Sequence, residues 1–476
     1  MTEQILSQKT IERFACEKLM FGRFKRLYFV GIGGSGMSGI AEILNNLGYE
    51  IKGSDITPSD VTQYLQSLGV KIYPGHRAAN IEDVDVVIIS SAVGENNPEV
   101  VEARRQGIPV IKRAEMLGEL MRLKFSIGVA GTHGKTTTTS MIGRILQQAQ
   151  LQPTLIVGGI VSELGTGARL GGGDYLVAEV DEYDRSIEKM FPSMAVVLNI
   201  EPDHLDCYED MDDLENTFLS YINRVPFYGS AILSADDENI TDFRTEIVRP
   251  YATFGFAVDA DYRAVDIKYE PGRTTFSVYC RGDLMGEIIL SVPGKHNVAN
   301  ALAAIATATE LEIAFETVAD ALRDFTGVGR RFEIVGEANG ILVVDDYAHH
   351  PTEIDATLQT ARAYGRKRVI AVFQPHLFSR TRLFQREFAR TLAEADFCIL
   401  TDIYPAREEP IEGVTSKVIK EEAERLGIGH FRYVGVKENA VEAVAEIAKP
   451  GDMVLTIGAG SITHIKKLIL ERLSKG

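Results

Sequence analysis

Twice in its N-terminal third the chain runs a short apolar segment into glycines and out again into a helical repeat, and few folds can follow from that. The first passage is Leu27-Tyr28-Phe29-Val30, then Gly31-Ile32-Gly33-Gly34-Ser35-Gly36, then helical periodicity from Gly36 to Leu47. The second is Phe125 to Ala130, then Gly131-Thr132-His133-Gly134-Lys135-Thr136, then a helix near Thr137 to Gln148. A strand that turns on glycines into a helix aims backbone N–H groups and the positive end of the helix dipole at one point, where an anion is stabilised. Each passage opens a strand-helix unit of a parallel sheet, so the class is α/β.

The alternation continues. Val84 to Ser90 and Ile108 to Ile111 read as strands around a helix near Pro98 to Gln106, while Tyr175 to Val180 and Met194 to Ile200 read as buried strands ending in acidic clusters. From Gly329 it restarts, with strands at Ile341 to Val344, Val369 to Phe373, Phe397 to Thr401 and Met453 to Ile457, and a helix after Pro351. A short helix is expected in the mixed-charge stretch before Leu27. The 476 residues accommodate about three domains at ~150 residues each. The expected layout is a Rossmann-like N-terminal domain (1–122), a central P-loop-type ATPase α/β domain (123–328) and a C-terminal Rossmann-like α/β domain (329–476).

Charge narrows the partners. Fifty Lys and Arg against 67 Asp and Glu leave −17, which disfavours nucleic acid and anionic lipid surfaces. No apolar run approaches the ~20 residues of a membrane span, and the first residues, Met1-Thr2-Glu3-Gln4, lack a signal-peptide pattern, so a cytoplasmic location without membrane insertion is expected. Cys16, Cys207, Cys280 and Cys398 are far apart and read as ordinary thiols.

The glycine loop at Gly31 admits a dinucleotide reading, with Asp55, 19 residues beyond Gly36, on a ribose hydroxyl. The loop at Gly131 decides against an oxidoreductase. Its GKT ending places Lys135 on β/γ phosphates and the Thr136 hydroxyl on Mg²⁺, although Gly131 and Gly134 are closer together than in the usual phosphate loop. Mg²⁺ takes hard oxygen ligands. Glu179, ahead of Asp181, Glu182 and Asp184, is the expected further ligand, and His204 in Asn199-Ile200-Glu201-Pro202-Asp203-His204 is a functional histidine in the same company. Downstream, the paired His349-His350 admits a zinc site, but no convincing third ligand stands nearby.

Together with Gly294-Lys295-His296-Asn297, Gly327-Val328-Gly329-Arg330-Arg331-Phe332-Glu333, Asp345 to Glu353 and Asp402 to Glu408, these stretches resemble the Mur ligase family, in its alanine-adding branch. The resemblance implies ATP-dependent amide synthesis with ATP and Mg²⁺, from UDP-N-acetylmuramate and L-alanine through an acyl phosphate, as the first peptide-adding step of peptidoglycan precursor synthesis. It turns the first loop into a cradle for the UDP diphosphate, with Gly33, Gly34, Ser35, Gly36, Met37, Asp55, His76, Ser90 and Ser91 as substrate neighbours. It puts ATP on Gly131, Thr132, His133, Gly134, Lys135, Thr136 and Thr137, with Asn297 by the adenine, Asp346 by the ribose and Arg330 also on the nucleotide. Thr136, Glu179 and His204 become metal ligands. His349, His376 and Arg380 become candidates for the L-alanine site, and Lys135, His204, His349 and Arg380 the catalytic set. No lysine stands between Lys189 and Lys268 to be carbamylated, as sister ligases require, and Leu377 stands where some members have arginine. A monomer or weak homodimer is expected. The competing readings are a murein tripeptide recycling ligase of the same family and a noncatalytic nucleotide-binding regulator.

Overall fold

The computed structural model describes residues 21–90, 92–158, 167–202, 207–270, 272–406 and 408–475. The expected N-terminal helix, Cys16, Ser91 and His204 lie outside these, as does the side chain of Ser35. The chain forms two compact units, one of residues 1–265, 277–286 and 299–322, the other of 266–276, 287–298 and 323–476.

The first unit opens with a five-stranded sheet: β1 (Arg26–Val30), β2 (Glu50–Asp55), β3 (Lys71–Pro74), β4 (Val86–Ile89) and β5 (Val110–Lys112). The order is β3-β2-β1-β4-β5 with every pairing parallel. Parallel strands are covered on both faces, so they read as unbroken apolar runs rather than alternating ones. Val86-Val87-Ile88-Ile89 is such a run, buried throughout. From β1 the chain builds outward through β2 and β3, then crosses back to place β4 on the other side of β1, and this reversal of strand order opens a crevice at the strand ends.

A second sheet holds β6 (Phe125–Ala130), β7 (Thr154–Ile156), β8 (Ala168–Arg169), β9 (Tyr175–Glu179), β10 (Met194–Val197), β11 (Ser230–Ser234), β12 (Tyr251–Gly255), β13 (Tyr262–Glu270), β14 (Arg273–Cys280) and β15 (Asp283–Leu290). Its order is β15-β14-β13-β12-β11-β10-β6-β9-β7-β8. Because β6 lies parallel between β10 and β9, the segments leaving all three emerge side by side. The helix that follows the first glycine loop, Ser35–Asn46, reaches this second sheet: a Cβ on Gly39 would fall 2.8 Å from Cβ of Ala168 on β8.

The second unit carries β16 (Glu333–Ala338), β17 (Ile341–Asp346), β18 (Val369–Phe373), β19 (Phe397–Thr401), β20 (Phe431–Gly435) and β21 (Met453–Ile457), ordered β16-β17-β21-β18-β19-β20. Only β16 is antiparallel to its neighbour. Apolar clusters fill both faces of the sheet, around Val344, Phe373 and Leu455 on one side and Val343, Val372 and Val454 on the other. Among the described residues Cys207, Cys280 and Cys398 are free thiols, and no helix is long and apolar enough to cross a membrane.

Candidate active site

The first glycine loop is held in shape by β2. The N–H groups of Gly31 and Ile32 donate to the Ser54 carbonyl at 2.9 and 3.0 Å, and that of Gly33 donates to Asp55 Oδ2 at 2.8 Å. Asp55 Oδ1 accepts from the Thr57 N–H at 3.1 Å, so this carboxylate braces the loop as well as lying beside it. Gly33 has no room for a side chain: a Cβ would stand 2.9 Å from both Asp55 Oδ2 and Thr62 Cγ2. Ser90 Oγ is 3.5 Å from the Cβ position of Gly31. Met37 departs from the expectation. Its side chain is 1% exposed and packs in the core, and its N–H is spent on the Gly34 carbonyl at 2.9 Å, because the third helical position turns inward.

His76 reaches the same edge of the sheet, and through it the structure adds a residue that spacing alone does not reveal. Its Nδ1 lies 2.9 Å from Ser54 Oγ and 3.1 Å from Glu99 Oε2. Glu99 is fully buried and accepts from Tyr28 Oη (2.7 Å), Ser54 Oγ (2.6 Å), Asn80 Nδ2 (2.6 Å) and the Arg77 N–H (3.3 Å). A buried carboxylate is tolerated when its lone pairs are satisfied in this way. Burial, reinforced by the neighbouring Glu99 charge, holds the Tyr28 phenol far above its ordinary pKa. Arg113 is the second such residue, with Nη1 3.0 Å from the Cβ position of Gly36 at the start of the helix.

The second loop has different chemistry. Gly131 and Gly134 take φ of +135° and +85°, and a Cβ on Gly134 would come 2.4 Å from Asn300 Oδ1. Asn199, just past β10, clamps the loop from the side: its Oδ1 accepts from the His133 N–H at 2.7 Å and its Nδ2 donates to the His133 carbonyl at 3.1 Å. Thr132 Oγ1 accepts from the Glu201 N–H at 2.8 Å, His133 Nε2 lies 3.5 Å from Glu201 Oε2, and Thr137 is buried under the loop.

Lys135 opens the following helix, Lys135–Gln148, and its Nζ donates to the carbonyls of Gly131 (2.6 Å) and Thr132 (3.2 Å) and to Glu182 Oε2 (2.9 Å). Burial would lower the pKa of this ammonium, yet Glu182, Asp181 and Glu179 outweigh burial and hold it above the ordinary lysine value. Thr136 Oγ1 donates to Glu179 Oε2 at 2.9 Å, and the Gly158 N–H donates to the same oxygen at 2.7 Å. The hydroxyl and carboxylate expected to hold Mg²⁺ are therefore already adjacent, and as hard oxygens they suit that ion.

In the second unit the predicted residues gather at the ends of β17 and β18. Asp346 ends β17, where Oδ2 accepts from the Phe332 N–H and Oδ1 from the Ala348 N–H, both at 2.8 Å. Burial pushes its carboxyl up to about 6, against the pull of Arg331 and these two donors. Arg330 Nη2 donates to the carbonyls of Gly458 (2.5 Å) and Gly460 (3.2 Å), and its guanidinium lies 4.7 Å from the centre of the Tyr347 ring. His349 Nδ1 is 3.1 Å from the Tyr347 carbonyl and 3.2 Å from Glu353 Oε2, with its ring 5.8 Å from that of His376, which in turn stacks on Tyr404. Arg380 is buried in the short helix Phe378–Leu383, entered through Leu377 at φ +70°. Asn297 Nδ2 donates to the Pro293 carbonyl at 2.6 Å.

Glu182, Asn300, Glu99 and Arg113 are the residues that sequence reasoning passes over. Glu182 stands in an acidic cluster that offers no way to choose among its members, and Asn300 lies one helical turn beyond Asn297, which is the one signal available for it.

Comparison with known proteins agrees along the whole chain. Residues 26–125 match the Mur ligase family catalytic domain, 129–308 the Mur ligase middle domain and 330–460 the Mur ligase glutamate ligase domain. The UDP-N-acetylmuramate–L-alanine ligase of Geotalea daltonii is 49% identical over 454 residues, covering 95% of this chain and 99% of the relative. That of Geobacter sp. strain M21 is 50% identical over 455 residues, with the same shares. Among solved structures, the UDP-N-acetylmuramate–alanine ligase of Thermotoga maritima superposes with a TM-score of 0.81 at 30% identity, covering 94% of this chain and 99% of that one. A murein peptide ligase from Psychrobacter arcticus reaches 0.69 at 26%, with the same coverage. With three domains matched in order and half the residues shared over 95% of its length, the chain belongs to the Mur ligase family.

Proposed function

We propose that this chain is an ATP-dependent ligase that joins L-alanine to the lactyl carboxylate of UDP-N-acetylmuramate, releasing ADP and phosphate. The observation that carries this reading is the likeness over 95% of the chain to ligases of that activity, at 49 to 50% identity. Murein peptide ligases, a competing activity, stand at 26 and 29%, the latter over 64% of this chain. The reaction is a step of peptidoglycan precursor synthesis, and the enzyme would work in the cytoplasm alongside its nucleotide substrates.

A carboxylate attacking a triphosphate brings like charges together, and the second loop answers that problem. Lys135 supplies a positive charge in a largely dry site, at the N-terminus of the helix Lys135–Gln148. Bound Mg²⁺ would neutralise phosphate charge from Thr136 and Glu179, with His204 as the proposed ligand of a second ion. The resulting acyl phosphate is attacked by the amine of L-alanine, whose carboxylate is assigned to Arg380, with His349 and His376 beside it. Asn297, Arg330 and Asp346 are the nucleotide contacts assigned to the second unit. The first loop, with Asp55, His76 and Ser90, is assigned the UDP end, which meets the positive end of the helix Ser35–Asn46, and Arg113 adds a cation at that helix start.

Phosphate release from ATP with Mg²⁺ and UDP-N-acetylmuramate tests this, run in parallel with L-alanine, glycine, L-serine, a tripeptide and no acceptor. Release that requires both the sugar nucleotide and L-alanine is expected. Preference for the tripeptide would transfer the chain to the recycling activity, and ATP binding without release under any condition would make it a noncatalytic binder.

A further inference from the structure

An ammonium has three N–H donors, and those of Lys135 are all engaged, by the Gly131 carbonyl, the Thr132 carbonyl and Glu182 Oε2. Nothing remains for a phosphate oxygen unless one partner is given up. The two carbonyls belong to the loop itself, whereas Glu182 comes from the segment after β9, 47 residues along the chain, and is the charged partner. Its side chain is 2% exposed, and a buried pair of this kind is a weak source of fold stability, so its presence calls for another account. The Glu182 backbone is tied by the buried Tyr208 hydroxyl, which donates to its carbonyl at 2.6 Å, so exchange through the side chains disturbs the least.

Resting on the ATP-dependent reading above, we propose that Glu182 is the positioning residue for Lys135, a carboxylate that parks the ammonium across the mouth of the loop and competes with the nucleotide triphosphate for it. Triphosphate binding then swaps one anionic partner of Lys135 for another. The pair lowers affinity for nucleotide and keeps the lysine stretched toward the position in which it is used.

Equilibrium binding of a non-hydrolysable ATP analogue to the full chain, by calorimetry with Mg²⁺ present, separates this from a purely structural role. Glu182→Gln keeps the shape and removes the charge, and should bind the analogue about tenfold tighter than the parent protein. Glu182→Asp, with a shorter reach, should shift affinity the same way by less, and serves if the glutamine variant does not fold. The gain should vanish in a Lys135→Ala background, and the Michaelis constant for ATP should fall with Glu182→Gln while that for the sugar nucleotide stays put. Unchanged or weaker analogue binding by a folded Glu182 variant overturns the proposal, as does a gain that persists without Lys135. Binding is read without turnover, so a parent protein that binds analogue yet releases no phosphate would sink the ligase reading alone.

Discussion

The two glycine loops of the first unit share a strand, a turn and a helix start, and differ in what stands around the turn. At Gly31 to Gly36 a carboxylate, Asp55, is spent on the loop's own backbone, and a cation, Arg113, approaches from another helix. At Gly131 to Thr136 the cation is inside the loop, three acidic residues face it, and an asparagine from the next strand clamps the turn. The same scaffold thus carries two polar arrangements, which the proposed function reads as two tasks. A loop that only holds a diphosphate needs N–H groups in a fixed shape, whereas one that must shift phosphate charge during a reaction needs a mobile cation and hard oxygen ligands beside it.

Lys135→Ala should break this comparison most completely. We expect turnover to fall by at least about a thousandfold while calorimetry shows the sugar nucleotide still bound; loss of both would mean the loops are not separable. Gly134→Ala comes next. A side chain at φ +85° and 2.4 Å from Asn300 Oδ1 displaces the loop, and kcat/KM for ATP should drop by about a hundredfold. An alanine enzyme with parental kinetics would show that the turn tolerates the shift. Asp55→Ala sharpens the other side: without its brace the first loop should bind UDP-N-acetylmuramate about tenfold more weakly, with kcat within about twofold of the parent. A change in kcat alone would instead tie Asp55 to the chemistry.

The smallest effect concerns stability in the second unit. The Asp346 carboxyl is held up at about 6 from an ordinary 3.8, so the folded chain binds more protons than the unfolded one between those values. Its contribution therefore favours the fold below pH 4 and is lost as the pH rises through 6, by about 2 to 3 kcal/mol at most. Urea unfolding at pH 4 and pH 7 should show a shallower pH dependence in Asp346→Asn than in the parent; equal slopes would mean that this carboxyl is not the one titrating.

What could be read from the sequence followed from local order. Val86 to Ile89 and Val369 to Phe373 are apolar runs that parallel strands bury on both faces, and they fall where expected. The GKT ending announces Thr136 beside an acidic partner, and Glu179 is there at 2.9 Å. The helix after the second loop starts at Lys135, two residues before the sequence expectation, because threonine is a poor helix former that the loop geometry overrides. Glu99 and Arg113 were illegible for a different reason. Glu99 meets Tyr28 across 71 residues and Arg113 meets Gly36 from another helix, and one sequence carries no signal for a pairing made only when sheets and helices close on one another. Met37 misled because the glycine motif runs on into a helix whose third position already faces the core.

Gly39 carries one more consequence. Its missing side chain is where Ala168 of the neighbouring sheet fits, so the five-stranded sheet's first helix is keyed to the second sheet by a pair of small residues rather than joined by a loose tether. Anyone grafting a different first domain onto this chain would have to transplant that key and its lock together, since a methyl group at Gly39 would stand 2.8 Å from that of Ala168 and wedge the two sheets apart.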